Sequence, residues 1–135
     1  MKPDKTGFYW IVTTGALIML LSMIHIAATP AIFRTGYDQL TQSGGRVFIF
    51  LYTVAGLAVM FTGLLVITAG FGLQKGHGFC LILGAMCGMF LLILGIGAIS
   101  TMPTNPFSYI TAVLALALLI ELITWADFFL KEHPE

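Results

Sequence analysis

Three ionisable side chains in this 135-residue chain sit inside or at the edge of long apolar runs, where charge is expensive and marks either a function or a partner. His25 is the first. Projected on a helix wheel at roughly 100° per residue, Thr14, Ser22, His25 and Thr29 fall within about 80° of one another, with Ile18 and Leu21 beside them. This polar stripe on an otherwise apolar segment is expected to face other helices. Two readings suit the imidazole: a structural group bonded to a hydroxyl or carbonyl, or a contact to a ligand or cofactor.

Arg46 is the second, preceding an apolar run by one residue, with Arg34 and Asp38 in the segment before it. An arginine so placed ordinarily snorkels to the headgroups. If its depth matches that of His25, an outer polar pocket of His25, Thr29, Arg34, Asp38, Arg46 and Asn105 follows, suited to an anionic headgroup or a small polar molecule. Glu121 is the third, near the middle of the last apolar run, flanked by Ala117, Leu118, Thr124 and Trp125. Thr62 and Cys87 are expected at a similar depth. No Lys or Arg reaches that level, so a neutral carboxylic acid is expected. It either links helices by hydrogen bonding, exchanges protons, or meets a cation on a partner.

Other chemistries find no residues. There is no nucleophile–base pair, zinc spacing, phosphate loop or dinucleotide fingerprint. Two facing His at one depth would suit a membrane haem, but His77 and His133 fall at other levels, and Met102 precedes Pro103 in a connector. A haem or pigment would therefore hang on His25 alone or be shared with a partner, and nothing else in the chain requires a cofactor.

The elements that must position these groups follow from composition. Of the residues 59% are apolar and 9% charged, with six Lys+Arg against six Asp+Glu, far below the roughly 25% charge of a soluble domain. Six scattered cations make no nucleic-acid-binding face. Two Cys, both in or beside an apolar run, make no disulfide framework. A membrane-crossing helix needs about 20 apolar residues, and four segments supply them: 8–28, 47–70, 79–99 and 109–130. None alternates at period two, so the expected fold is an all-α integral membrane four-helix bundle with short loops. Aromatic residues mark the ends of the runs, among them Phe8, Tyr9, Trp10, Phe48, Tyr52, Phe107, Tyr109, Trp125, Phe128 and Phe129, as headgroup-level rings do.

Orientation follows from Lys and Arg near the ends of the crossings. Lys2, Lys5, Lys75 and Lys131 lie on one side, Arg34 and Arg46 on the other. Both termini are therefore expected in the cytoplasm, with the protein a multi-pass component of the cell membrane.

Packing in lipid depends on small residues. Gly56, Gly63 and Gly70 recur every seven residues, and Gly84, Gly88 and Gly95 share a stripe with Cys80, Cys87 and Ala98. These two seams predict a tight hairpin of the second and third helices. With such short loops the expected role is a non-catalytic subunit or accessory protein of a larger membrane complex, in contact with lipid and with other subunits or copies of itself. A small proton-linked transporter or a lipid- or ligand-binding protein is the alternative.

Overall fold

The computed structural model describes residues 5–36 and 41–131, with side chains described for 5–34 and 41–126. Lys2, Asp38 and His133 lie outside the described residues, as do the side chains of Asp127, Phe128, Phe129 and Lys131. Four helices follow in order: α1 (Thr6–Gly36), α2 (Gln42–Gln74), α3 (Phe79–Thr101) and α4 (Pro106–Lys131). Among the described residues there is no strand. All four helices are long and apolar enough to cross a membrane, and only 28–33% of each crossing window is buried in the bundle. The chain is a multi-pass membrane protein, and most residues of each crossing lie outside the buried interior of the bundle.

Helix ends follow local chemistry. The Thr41 side chain caps α2 by accepting from the Gly44 N–H at 3.2 Å. Pro106, with no N–H to satisfy, opens α4, and the Asn105 Oδ1 accepts from the Phe107 N–H at 3.1 Å. After α2 the chain closes in a Schellman motif: Gly76 N–H donates to Leu73 and His77 N–H to Gly72, each at 3.0 Å. Gly76 takes φ 83° to make that turn, a conformation that costs other residues roughly 1–2 kcal/mol.

Two features depart from the sequence-based expectation. First, α1 does not stop near Ala28. It runs through Pro30 to Gly36, and α2 begins at Gln42 rather than Val47. Proline removes one hydrogen bond but is tolerated in membrane helices. The two helices span 31 and 33 residues, against 23 for α3. At about 1.5 Å per residue, α1 and α2 exceed the roughly 30 Å hydrocarbon core while α3 nearly matches it. The α1–α2 hairpin thus overhangs the α3–α4 turn.

Second, the closest pairs are α1 with α2 and α3 with α4, not α2 with α3. The glycines show why. A Cβ on Gly63 would lie 2.9 Å from the Gly15 carbonyl of α1, and one on Gly70 3.0 Å from Val12. A Cβ on Gly88 would meet Leu119 of α4 at 2.7 Å, and one on Gly95 the Ala112 backbone at 2.9 Å. Gly84 faces Leu122 at 3.1 Å. Each seam admits the neighbour on its far side, and α1 and α4 complete the ring. The shared core is Ile11, Ile18, Val59, Val66, Leu73, Leu91, Leu118 and Leu122, with Cys87 among them.

Candidate functional site

The α1 stripe faces inward. Thr14, Ser22 and Thr29 are buried and His25 is half-buried. Each hydroxyl has a partner that is not the imidazole. Ser22 donates to the Gly56 carbonyl of α2, Thr29 to the carbonyl of His25 at 3.0 Å, and Thr14 to Oε1 of Glu121 at 2.8 Å. The His25 Nε2 is buried and has no hydrogen-bond partner among the described residues. The hydroxyls on the same stripe are occupied elsewhere, and the partner of the imidazole is the Tyr52 backbone carbonyl.

The ring is held by aromatics. Gly56 lets α1 close on α2, since a Cβ there would lie 2.6 Å from Ile26 and 3.1 Å from the His25 Cδ2. One turn earlier on α2, Tyr52 stacks on His25 with centroids 4.1 Å apart and planes at 17°. Phe48 continues the stack on Tyr52 at 5.4 Å. From α4, Phe107 meets the imidazole edge-on at 5.4 Å and 83°. Asn105 donates its amide to the Tyr52 hydroxyl at 2.6 Å, so the cap of α4 also anchors the aromatic stack on α2.

His25, Tyr52, Gly56, Asn105 and Phe107 border a cavity of about 70 Å³ that takes lining from all four helices. His25 and Ser22 come from α1, Tyr52 and Gly56 from α2, Gly95 and Ala98 from α3, and Ser108 and Thr111 from α4, with Met102 and Asn105 from the turn between the last two. Because α3 ends at Thr101 and nearly matches the hydrocarbon thickness, the cavity sits near one boundary of the apolar core.

The expected pocket is therefore assembled in part. His25 and Asn105 line it, whereas Thr29, Arg34 and Arg46 do not. Thr29 turns back onto its own helix. Both arginines are exposed on the overhang: Arg34 lies nine positions beyond His25, about 13 Å along α1. Among the described residues no charged side chain lines the cavity. The sequence reading missed Tyr52, Phe107 and Ser108 as members. The only available signal was the aromatic content of the helix ends, which reads equally as an interfacial belt.

Glu121 belongs to a separate place. Its Oε1 joins α4 to Thr14 on α1, and its Oε2 is buried without a partner among the described residues. Thr62 returns its hydroxyl to the Ala58 carbonyl at 2.8 Å. Fully buried Ile18 lies between Thr14 and Ser22 on the α1 stripe, so apolar packing separates Glu121 from the His25 cavity. Among the described residues no three His, Cys, Asp or Glu side chains gather to hold a metal ion. Cys80 and Cys87 are both free thiols.

Compared with protein-family models, with curated proteins and with solved structures, the chain matches none.

Proposed function

We propose that this chain is a ligand-binding membrane protein whose site is the interhelical cavity beside His25. The observation that carries the reading is a buried imidazole Nε2 without a partner among the described residues, in a ring stacked on Tyr52 and bordering a cavity lined by all four helices. A buried polar atom left unpaired costs roughly 1–3 kcal/mol, and a bound molecule would relieve that cost. By helix order the site lies toward the face opposite the termini, and the Lys and Arg distribution directs that face away from the cytoplasm. Drug-sized ligands occupy clefts of about 300–1,000 Å³, so a cavity of about 70 Å³ favours part of a lipid-soluble molecule over an entire haem or pigment. The test is native mass spectrometry of protein purified in mild detergent, beside Ala98→Phe, which fills the cavity. A small neutral molecule retained by the wild type and lost from the variant is the expected result. Equal retention by both counts against the site.

A second reading, as a subunit of a larger assembly, draws on α3. Its outward face exposes Ile82, Met86 and Ile93, and a Cβ on Gly97 would meet nothing within 4 Å. Small residues on an exposed membrane helix favour close approach of another helix. A particle mass equal to one chain plus detergent and lipid would remove this reading.

A further inference from the structure

The hydrogen bond that His25 already makes fixes what its other nitrogen can do. The imidazole bonds to the Tyr52 backbone carbonyl, and Nε2 has no partner among the described residues, so that bond runs from Nδ1. A carbonyl only accepts. The proton of the neutral ring therefore sits on Nδ1, and Nε2 keeps its lone pair. Stacking on Tyr52 and the edge-on Phe107 hold the ring in that setting. Nε2 is thus a buried acceptor on a side chain that lines the cavity. Neighbouring hydroxyls on the wall do not supply its donor: Ser22 gives its proton to the Gly56 carbonyl, and Thr111 gives its own to the Phe107 carbonyl at 2.8 Å. Their oxygens, like that of buried Ser108, retain lone pairs that can accept.

Such a wall calls for a donor at His25. A carbonyl or ether oxygen set against Nε2 would bring lone pair against lone pair. A hydroxyl donates its proton there, and its oxygen can in turn accept from a serine hydroxyl; an amide N–H has no lone pair to do so. A metal ion on Nε2 would need further ligands, and among the described residues no three His, Cys, Asp or Glu side chains gather. Among the described residues no charged side chain lines the cavity, so an ionised ligand would be desolvated without compensation. Size sets how much enters: an engineered apolar cavity of about 150 Å³ admits a benzene ring, and this one holds about 70 Å³. A hydroxyl and the first carbons behind it fit, with the rest of the molecule left in lipid.

Resting on the site proposed above, we infer that the cavity takes the hydroxyl end of an uncharged, lipid-soluble molecule, whose O–H donates to the His25 Nε2. Two sources carry that group: the aliphatic alcohol of a neutral lipid and the phenol of a quinol.

Two measurements on the full chain in detergent test this. Nitrogen NMR of protein labelled in the histidine rings, in alkaline buffer and with the His25 signals assigned by their loss in His25→Phe, reads which nitrogen carries the proton. An unprotonated Nε2 that moves toward hydrogen-bonded values when decanol is added is expected, and a protonated Nε2 overturns the assignment. Unfolding-temperature shifts at fixed detergent then compare decanol and decylphenol with decyl methyl ether and decylanisole over a concentration series. Each ether keeps the oxygen and the tail and loses only the donor. An alcohol should bind about three- to tenfold tighter than its own ether, the worth of one neutral hydrogen bond, and the pair with the larger difference identifies the source. His25→Phe keeps a ring against Tyr52 and should erase the preference, while the wild-type comparison needs no variant. Ethers that bind as well as their alcohols, a preference that survives His25→Phe, or binding by no probe would each overturn the assignment. Ala98→Phe separates the two failures. If alcohol and ether bind equally and both are lost in that variant, the site stands and the hydroxyl class falls; if it alters no probe's binding, the site itself falls.

Discussion

The Thr14 hydroxyl donates to Oε1 of Glu121 at 2.8 Å, joining the first helix to the last. The α1–α4 contact is the least extensive of the four sides of the bundle, so a polar bond there acts where packing contributes least. Hydrogen bonds between membrane helices couple by about 0.6 kcal/mol on average and at most about 1.7. A double-mutant cycle of Thr14→Val and Glu121→Leu, each of which removes the bond, read by denaturant unfolding in mixed micelles, should give a coupling in that range. Glu121→Gln alone should cost little, because its amide oxygen still accepts from Thr14. Zero coupling would mean that the bond contributes nothing to holding α1 on α4.

The glycines divide by what their missing Cβ would touch. At Gly63 and Gly95 the obstacles include backbone atoms, the Gly15 carbonyl and the Ala112 N–H, both at 2.9 Å. Backbone cannot rotate away, so Gly63→Ala and Gly95→Ala should each destabilise by about 1–3 kcal/mol as helices are forced apart. At Gly97 nothing lies within 4 Å. There the helix gains the propensity of alanine, up to about 1 kcal/mol, and Gly97→Ala should be neutral or stabilising. Equal unfolding midpoints for all three variants would contradict the packing described above.

Much of this arrangement was legible before the structure and some was not, for identifiable reasons. The four crossings and the inward stripe of Thr14, Ser22, His25 and Thr29 follow from periodicity within one helix, which sequence encodes directly. Which helix a stripe meets is not encoded that way. Gly56, Gly63 and Gly70 share a face on any α2, but only tertiary packing decides that this face meets α1. The placement of Arg34 and Arg46 failed for a different reason. Ending the first crossing at Ala28 put the arginines near the depth of His25, and a helix that continues through Pro30 to Gly36 carries Arg34 beyond it. Tyr52 and Phe107 stayed hidden because an aromatic near a helix end satisfies the headgroup rule equally well whether or not it stacks on a histidine from another helix.

Asn105 holds two positions at once. Its Oδ1 caps α4 at the Phe107 N–H, and its amide donates to Tyr52. Asn105→Ala removes both and should cost about 1–2 kcal/mol through the cap alone. Asn105→Ser retains a capping oxygen but does not span to Tyr52, so it should recover most of that loss. Tyr52→Phe should then add to Asn105→Ala less than it costs in the wild type, because the shared bond is already gone. Strict additivity in thermal unfolding would show that the amide-to-hydroxyl bond has no energetic weight.

Orientation is open to a direct chemical test. Lys5 and Lys75 lie at the end of the bundle that holds the α2–α3 turn, while the α3–α4 turn, with the cavity beside it, lies at the other. The positive-inside tendency then directs the cavity end away from the cytoplasm. With Cys80 and Cys87 replaced by Ala, single cysteines at exposed Thr104 and exposed His77 report the two ends without altering any Lys or Arg. A membrane-impermeant maleimide applied to intact cells should label Thr104→Cys, and His77→Cys only after permeabilisation. The reverse pattern would place the His25 cavity on the cytoplasmic side, so that its ligand would enter from the inner leaflet. The overhanging arginines would then sit among inner-leaflet headgroups, and the simple count of four Lys against two Arg would have been outweighed by where those charges stand along helices of unequal length.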